Sequence, residues 1–100
     1  FKNLNLKNCG VKGVSVGEKS TVLIDRALIG ETNIGIASKD SSVTKLNNLS
    51  LKNLKVCVSA YNKKQEFSGG FLKINSFDCQ NYTTMLDNDN YSKISIEKKL

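Results

Sequence analysis

Two carboxylates at equivalent positions of the chain are the first residues that could do chemistry. Glu18 and Asp40 occupy the same place in adjacent copies of an internal repeat, and each shortly precedes a serine at a predicted turn. Two carboxylates brought together can act as the acid and base of a glycosidase or as ligands of calcium. Acidic turn residues beside lysines are also typical of an ordinary solvated turn. We favour the turn and assign no catalytic residue, keeping Glu18 and Asp40 as a candidate acidic pair.

A second group of candidate residues centres on residues 61–70, where aromatic, basic and acidic side chains precede a Gly-Gly pair. A tyrosine can stack on a sugar ring, and a lysine can meet an acidic group of the same ligand. A packed loop without a ligand is the alternative. The candidate ligand-binding residues are Tyr61, Lys63, Lys64, Glu66, Asp87 and Asp89.

The composition argues against several other kinds of site. The chain has no histidine and no CxxC spacing, so we predict neither a metal site nor a cofactor. The net charge of +6 would attract polyanions, acidic glycans included, although biased composition alone also explains many lysines. A single arginine and few aromatic residues argue against a nucleic-acid partner. No apolar run is long enough to span a membrane.

The three cysteines are predicted to be free thiols. Cys79 falls at a position that should face the core, whereas Cys57 alternates with two valines and should point the other way. Cys9 follows the first apolar motif at a turn. No two of them share an aligned position of the repeat described next, so we expect no disulfide.

The internal repeat must position all these residues. Its template is an apolar triad at Leu46, Leu49 and Leu51, and the interval that follows this copy is the longest. Within each copy, apolar residues alternate with other residues over short stretches, which is typical of strands. The other copies begin at Phe1, Ile24, Ile74 and Ile96.

A period of about 22 residues is too short for helix pairs, and a single copy cannot bury its own apolar face. We therefore predict an all-β chain in which each copy forms one coil of a parallel β-helix, a solenoid of four to five coils. A β-sandwich of short strands is the alternative, but it does not explain the aligned copies. The predicted inward columns are Phe1–Ile24–Leu46–Ile74–Ile96, Leu4–Ala27–Leu49–Phe77 and Leu6–Ile29–Leu51–Cys79.

A polar column is also expected, seven residues after the start of each copy. Asparagines at a tight turn can satisfy backbone groups and hydrogen-bond to one another along a stack. Chance enrichment of asparagine at turns is the alternative. The residues at this position are Asn8, Glu31, Asn53 and Asn81.

The chain is predicted to be one domain, residues 1–100, with residues 61–70 as a loop that leaves the coil. The first interval of the repeat is longer than the second, which places an extra residue near Gly10 or Gly13, where a bulge costs little. Because the first triad begins at Phe1, we expect the chain to be the C-terminal part of a longer solenoid that lacks N-terminal coils or a domain. Uncovered end coils would favour end-to-end self-association.

The repeat resembles the right-handed parallel β-helix repeats of the pectate-lyase-like superfamily. The resemblance rests on Gly-Val-Ser-Val-Gly-Glu-Lys-Ser (13–20), Ile-Gly-Ile-Ala-Ser-Lys-Asp-Ser-Ser (34–42) and Ala-Tyr-Asn-Lys-Lys-Gln-Glu-Phe-Ser-Gly-Gly (60–70), which are similar to segments of uncharacterised bacterial β-helix proteins. It covers the whole chain and implies a right-handed coil. The resemblance says little about function, because the same fold occurs in lyases, hydrolases, epimerases and inert stalks.

These observations favour a non-catalytic module of a bacterial protein, a structural element or a binding surface for a glycan or a neighbouring domain. The alternative is a fragment of a polysaccharide-active enzyme, a lyase, hydrolase or epimerase. A polysaccharide is the expected ligand of a glycan-binding surface and the expected substrate of an enzyme. The bacterial cell surface or the secreted space is the expected location.

Overall fold

The computed structural model describes residues 2–8, 10–62 and 68–99, and these residues form one six-stranded β-sheet. Every pairing between the strands is parallel, which confirms the predicted all-β class and differs from the antiparallel sheets of a β-sandwich. The strands are β1 (Asn3–Lys7), β2 (Lys12–Val16), β3 (Thr21–Lys39), β4 (Val43–Tyr61), β5 (Phe71–Asn88) and β6 (Lys93–Lys99).

The register of the strands reproduces the sequence repeat. Ala27 of β3 pairs with Leu49 of β4, and Leu49 pairs with Phe77 of β5, so residues at equivalent positions form columns across the strands. The predicted columns that run through Leu46, Leu49 and Leu51 are confirmed among the described residues. Side chains of the first two columns provide much of the buried core: Ile24, Leu46, Ile74, Ala27, Leu49 and Phe77 are each at most 2% exposed.

Two changes of register locate the irregular parts of the repeat. Lys7 pairs with Gly30 but Lys12 pairs with Ile34, so one extra residue lies between β1 and β2, beside Gly10 with its φ of 81°. The sequence separation of paired residues rises from 22 between β3 and β4 to 28 between β4 and β5. The six additional residues fall between Tyr61 and Phe71, and residues 63–67 of this connection lie outside the described residues.

Each predicted polar-column position has a left-handed backbone. The φ values of Asn8, Glu31, Asn53 and Asn81 are 56°, 52°, 62° and 57°. Asparagine tolerates this conformation better than most residues, which explains its recurrence here. The side-chain amide of Asn81 donates to Oδ1 of Asn53 at 2.6 Å, so the asparagine column is confirmed between β4 and β5. Glu31 interrupts it and instead lies 3.7 Å from the ammonium of Lys7.

The left-handed residues divide β3, β4 and β5 into a first and a second segment, and β1 and β2 are the corresponding two segments of the first copy of the repeat. First and second segments meet across the core. A Cβ added to Gly13 would lie 2.9 Å from a methyl carbon of Ile29. A Cβ on Gly35 would collide with the Leu51 side chain and lie 2.5 Å from the carbonyl oxygen of Cys57. Glycine in the second segment therefore accommodates a large side chain in the first.

The third contact of this kind is a disulfide between Cys57 and Cys79, so the prediction of three free thiols is wrong for these two residues. Cys57 is fully buried in the core rather than pointing outward. The repeat aligns residues within one column only, whereas the disulfide joins two columns that face each other from opposite sides of the core. Cys9 lies outside the described residues.

The connection between β4 and β5 lengthens the chain without disturbing this contact. Cys57 and Cys79 are farther apart in sequence than Gly13 is from Ile29 or Gly35 is from Leu51. The difference is the six residues that the connection adds. A surface connection can lengthen at little cost in closure entropy. The additional residues therefore leave the sheet and return to it in register.

Buried hydroxyl groups close the corner between the second segment of β3 and the start of β4. The Ser38 and Ser42 hydroxyls lie 2.7 Å apart, and Thr44 donates to Ser38 at 3.1 Å. Each hydroxyl has one proton, so either Ser42 donates to Ser38 and Ser38 to the carbonyl of Phe71, or Ser38 donates to Ser42 and Ser42 to the carbonyl of Val16. These groups are almost wholly removed from water and bring four strands together at one corner.

The contact of Gly35 with Leu51 gives a test of the packing across the core. Gly35→Ala should lower the free energy of unfolding by about 1–3 kcal/mol, because the added methyl group overpacks a fully buried site. Gly30→Ala is the matched control, since its Cβ would meet only the carbonyl oxygen of Lys52, at 3.3 Å. Urea denaturation of both variants measures the difference. Equal free energies of unfolding would contradict the assigned contact.

Reduction of the disulfide gives a second test of the same contact. A cross-link with a sequence separation of 22 should stabilise the chain by about 3 kcal/mol, so a reductant should lower the melting temperature. The variant Cys57→Ala/Cys79→Ala should melt lower than the oxidised parent and should not respond to reductant. A parent protein whose melting is unchanged by reductant would show that the bond is absent.

Candidate functional site

The turns that carry Glu18 and Asp40 lie one above the other, but their carboxylates have different surroundings. The Lys19 amide donates to the Asp40 carbonyl at 2.9 Å, and both acidic residues have a left-handed backbone. Glu18 is exposed, whereas Asp40 is only 1% exposed. The two carboxyl groups therefore differ in their access to a substrate, which favours the predicted turn over a catalytic pair.

The end of the connection between β4 and β5 is hydrogen-bonded to the turn that carries Asp40. The Ser41 amide donates to the Ser68 carbonyl at 2.8 Å, and the Ser68 amide donates to the Ser41 hydroxyl at 2.8 Å. A Cβ on Gly70 would collide with the Ser38 carbonyl, so only glycine lets the chain return this close to β3. The return of the chain is therefore fixed by backbone contacts.

Tyr61 lies at the start of the same connection and is held by a residue that sequence analysis missed. The Lys12 ammonium donates to the Tyr61 hydroxyl at 2.9 Å and is 5.5 Å from the ring centre. An ammonium bound at the hydroxyl is necessarily about this far from the ring centre, so it contacts the edge of the ring and not its face. Lys12 belongs to β2, and no spacing in the sequence links it to Tyr61.

Asp89 holds the residue that follows Tyr61. The backbone amide of Asn62 donates to Oδ2 of Asp89 at 2.6 Å, and the backbone amide of Tyr91 donates to Oδ1 at 3.1 Å. Asp87 is exposed and pairs in register with Ser59. The structure thus brings the start of the connection to Asp89, as the candidate site requires. Its other members, Lys63, Lys64 and Glu66, lie outside the described residues.

Hydrogen bonding changes the acidity of Asp89. Desolvation by itself would raise the pKa of this carboxyl. The amide of Asn62, the hydroxyl of Ser92 and the amides of Tyr91 and Ser92 together outweigh that effect and lower the pKa below its ordinary value. Asp89 is therefore held as a carboxylate that organises the turn.

A larger feature, also missed by sequence analysis, is a strongly charged side of the sheet. We call the exposed side of residues 2–7, 21–30, 43–52, 71–80 and 93–99 the cationic face. These residues contain nine lysines and arginines against three carboxylates, whereas the other described residues contain four against five. All nine cations are exposed: Lys2, Lys7, Arg26, Lys45, Lys52, Lys73, Lys93, Lys98 and Lys99.

A row of hydrogen-bonded polar side chains crosses the cationic face. The side-chain amide of Asn75 donates to Oδ1 of Asn47 at 2.8 Å, and the side-chain amide of Asn47 donates to Oδ1 of Asp25 at 2.9 Å. Lys45 and Lys73 are paired in register and flank this row. The sequence period already aligned these residues, so the row could have been found by comparing the polar positions as well as the apolar ones.

Two shallow grooves mark the same face, and each contains an exposed leucine. One groove, of about 420 Å³, is lined by Leu28, Lys7 and Lys52 among others. The other, of about 720 Å³, is lined by Leu23, Lys2 and Lys45 among others. Leu28 and Leu23 are 47% and 61% exposed. The first groove is also lined by Glu31 and Asp78, and the second by Asp25. Each groove therefore offers an apolar patch among charges of both signs.

Other kinds of site find no support in the part of the chain that the structure describes. No group of three histidine, cysteine or acidic residues there could hold a metal ion. Those residues also include no helix long and apolar enough to cross a membrane. Comparisons with protein-family models, with curated proteins and with solved structures each found no match for the chain.

The role of Asp89 predicts an effect of pH. Because its pKa is lowered by folding, the carboxylate stabilises the fold above about pH 4, and this contribution is lost as the pH falls through the lower folded pKa. Asp89→Asn should therefore destabilise the chain at neutral pH, by less than about 1 kcal/mol because solvent screens the contacts. The difference from the parent should shrink in acid.

Thermal melting between neutral pH and about pH 2 measures this effect. Asp87→Asn removes the same charge two residues away, where the carboxyl group is exposed. It should cost less at neutral pH. A gap between the parent and Asp89→Asn that stays constant down to the lowest pH would contradict the assigned role.

Proposed function

We propose that the chain is a right-handed parallel β-helix and serves as a non-catalytic binding module. Three observations support the β-helix: parallel strands offset by one sequence repeat, a left-handed residue that divides each long strand, and segments that face each other across the core. These are what stacked coils require. The right-handed sense is carried over from the resemblance to pectate-lyase-like repeats.

The ligand that we propose for this module is an acidic polysaccharide, bound along the cationic face. The observation that carries this proposal is the unequal distribution of charge: the net +6 of the chain is matched by nine cations and three carboxylates on this one side. A surface of one sign attracts a polymer of the opposite sign and raises its local concentration. The single-sided charge is therefore a physical reason for binding at this place.

The chemistry of the face fits a sugar polymer. Neighbouring strands lie about 4.8 Å apart, so Lys45 and Lys73 present cations at a short and regular spacing along the stack. Exposed amides of Asn47 and Asn75 lie beside them and can exchange hydrogen bonds with hydroxyl groups. Leu23 offers an apolar surface for the less polar side of a sugar ring. Carboxylates, hydroxyls and ring faces of one polymer would each have a partner.

A nucleic acid fits the same face less well. Single-stranded nucleic acids bind through aromatic side chains that stack on bases. The aromatic residues in the described part of the face are Phe71, which is half-buried, and Phe77, which is fully buried. Arg26 is its one arginine. Lysine-rich and without exposed rings, the face is better suited to carboxylate or sulfate groups.

The connection that starts at Tyr61 remains a second place for the ligand. Lys12 joins it as a further cation beside the Tyr61 hydroxyl. The alternative function, a fragment of a polysaccharide-active enzyme, has no specific observation in its favour, because Glu18 and Asp40 differ so strongly in exposure. Binding at the connection and enzymatic cleavage would each give a different result in the experiment that follows.

Binding to polygalacturonate and to neutral dextran, measured by affinity electrophoresis at several salt concentrations, tests the proposal. The parent should bind polygalacturonate, bind dextran weakly or not at all, and lose affinity as salt rises. Lys45→Gln/Lys73→Gln should weaken binding about tenfold, since two exposed ion pairs contribute about 0.7 kcal/mol each. No new reducing ends or unsaturated products should form.

Lys19→Gln/Lys55→Gln is the matched control, because it removes the same charge from exposed residues away from the cationic face. It should bind nearly as the parent does. Equal losses in both double variants, or equal binding of dextran, would contradict a site on this face. Loss of binding in Tyr61→Ala/Lys64→Ala alone would place the ligand at the connection, and stronger binding of single-stranded DNA would favour a nucleic acid.

A further inference from the structure

The row of hydrogen-bonded side chains on the cationic face runs in one direction. The side-chain amide of Asn75 donates to Asn47, and the side-chain amide of Asn47 donates to Asp25. In both bonds the donor lies on the strand nearer β6 and the acceptor on the strand nearer β1. The row therefore has a polarity, which the repeat by itself does not require.

Asp25 determines this direction. A carboxylate has no proton to donate, whereas an asparagine amide donates through its nitrogen and accepts through its oxygen. Beside Asp25, Asn47 must therefore present its nitrogen, and its oxygen is left to accept from Asn75 on the other side. With an asparagine at position 25, the same three residues could form the row in either direction.

A second carboxylate lies beyond the other end of the row and does not have this effect. Glu97 of β6 is the neighbour of Asn75, since Ile74 and Ile96 pair immediately before them. An acceptor at this end would favour the opposite direction, but the side-chain nitrogen of Asn75 is turned to β4. Glu97 therefore offers a comparison for Asp25, with the same charge and the same column.

The polarity of the row extends to the surface that a ligand would contact. Asp25 and Asn47 are exposed, and Asn75 is partly exposed. Within the row Asn47 uses one N–H group and one lone pair, so a second N–H group and a second lone pair remain for a ligand. In both amides the nitrogen lies toward β1 and the oxygen toward β6. Donors and acceptors therefore follow one another in a fixed order along the stack.

We propose that Asp25 is a positioning residue, which makes an acidic polysaccharide bind along the cationic face in one direction. This role rests on the polysaccharide binding proposed above. A polysaccharide chain has two different ends, and its ring oxygens and carboxylates only accept hydrogen bonds. In one direction these acceptors meet N–H groups of the row. In the reverse direction some of them meet Oδ1 atoms, and two facing acceptors leave each other unsatisfied.

The lysines that flank the row supply affinity without selecting a direction. Lys45 and Lys73 are exposed, and each ammonium group is a point charge with rotatable donors on a flexible side chain. Such a group meets a carboxylate equally well whichever way the sugar chain runs. Loss of the lysines should therefore weaken binding, whereas loss of Asp25 should change its direction.

Nuclear magnetic resonance of the side-chain amides tests the role of Asp25 in the protein without a ligand. In the parent, one N–H signal of Asn47 and one of Asn75 should be shifted downfield, because each is hydrogen-bonded. Asp25→Ala should remove this shift from Asn47, and Glu97→Ala should leave it. Both carboxylates are exposed, so neither change should affect folding, which circular dichroism checks. An unchanged Asn47 signal in Asp25→Ala would overturn the proposal.

Affinity for polygalacturonate distinguishes positioning from charge. If Asp25 acted by its charge alone, Asp25→Ala and Glu97→Ala would both bind the polyanion more tightly and to the same extent. Asp25→Ala should instead bind about threefold more weakly than Glu97→Ala, because the ligand must then order the amides of the row itself. Affinity electrophoresis measures both variants. Equal affinities would overturn the proposal.

The direction of the bound chain is measured with an oligogalacturonate that is about as long as the row and carries a nitroxide at its reducing end. The backbone amides of Asn3 and Lys98 lie at opposite ends of one column, about 19 Å apart at the strand spacing. In the parent and in Glu97→Gln, the nitroxide should broaden the same one of these two signals. In Asp25→Asn the other signal should broaden, alone or as well, because the reverse row can form.

Two results of this experiment would overturn the role of Asp25: equal broadening of both signals in the parent, or the same one-sided broadening in Asp25→Asn as in the parent. Binding that depends on Lys45 and Lys73 but has no direction would overturn this role and leave the polysaccharide proposal intact. A parent that binds no polygalacturonate would overturn both.

Discussion

The contact between two facing columns of side chains sets the geometry on which the rest of the structure depends. Two such contacts join a glycine of a second segment to a large side chain of the next first segment, Gly13 to Ile29 and Gly35 to Leu51. In the third contact the partners are two cysteines, each of intermediate size and covalently joined. Since buried volume must stay nearly constant to keep the core close-packed, a small residue on one side permits a large residue on the other.

Periodicity also creates the surface that we propose to be functional. Once the columns are aligned to bury apolar residues, the residues between them must align on the outside at the strand spacing. Asp25, Asn47 and Asn75 thereby become a hydrogen-bonded row, and Lys45 and Lys73 become neighbours despite their like charge. Their mutual repulsion in the free chain would be relieved by an anionic ligand.

The pattern of amino acids was sufficient to predict the period, the strand class and most of the register. Apolar residues recur where burial requires them, so Leu46, Leu49 and Leu51 identified their columns without coordinates. Asparagine marked the left-handed turns at Asn53 and Asn81, because few residues tolerate that backbone. These features are local or strictly periodic, which is why a pattern reveals them. The β-helix, its right-handed sense and the function stay predictions.

Tertiary packing, by contrast, determines which columns face each other. Cys57 and Cys79 occupy different columns, and their contact depends on the angle at which each strand bends, which no spacing encodes. For the same reason no pattern indicated that Lys12 reaches Tyr61, or that Asp40 is buried while its counterpart in the preceding copy of the repeat is exposed. Contacts across a core depend on the summed geometry of many residues, whereas a linear repeat fixes only neighbours along the stack.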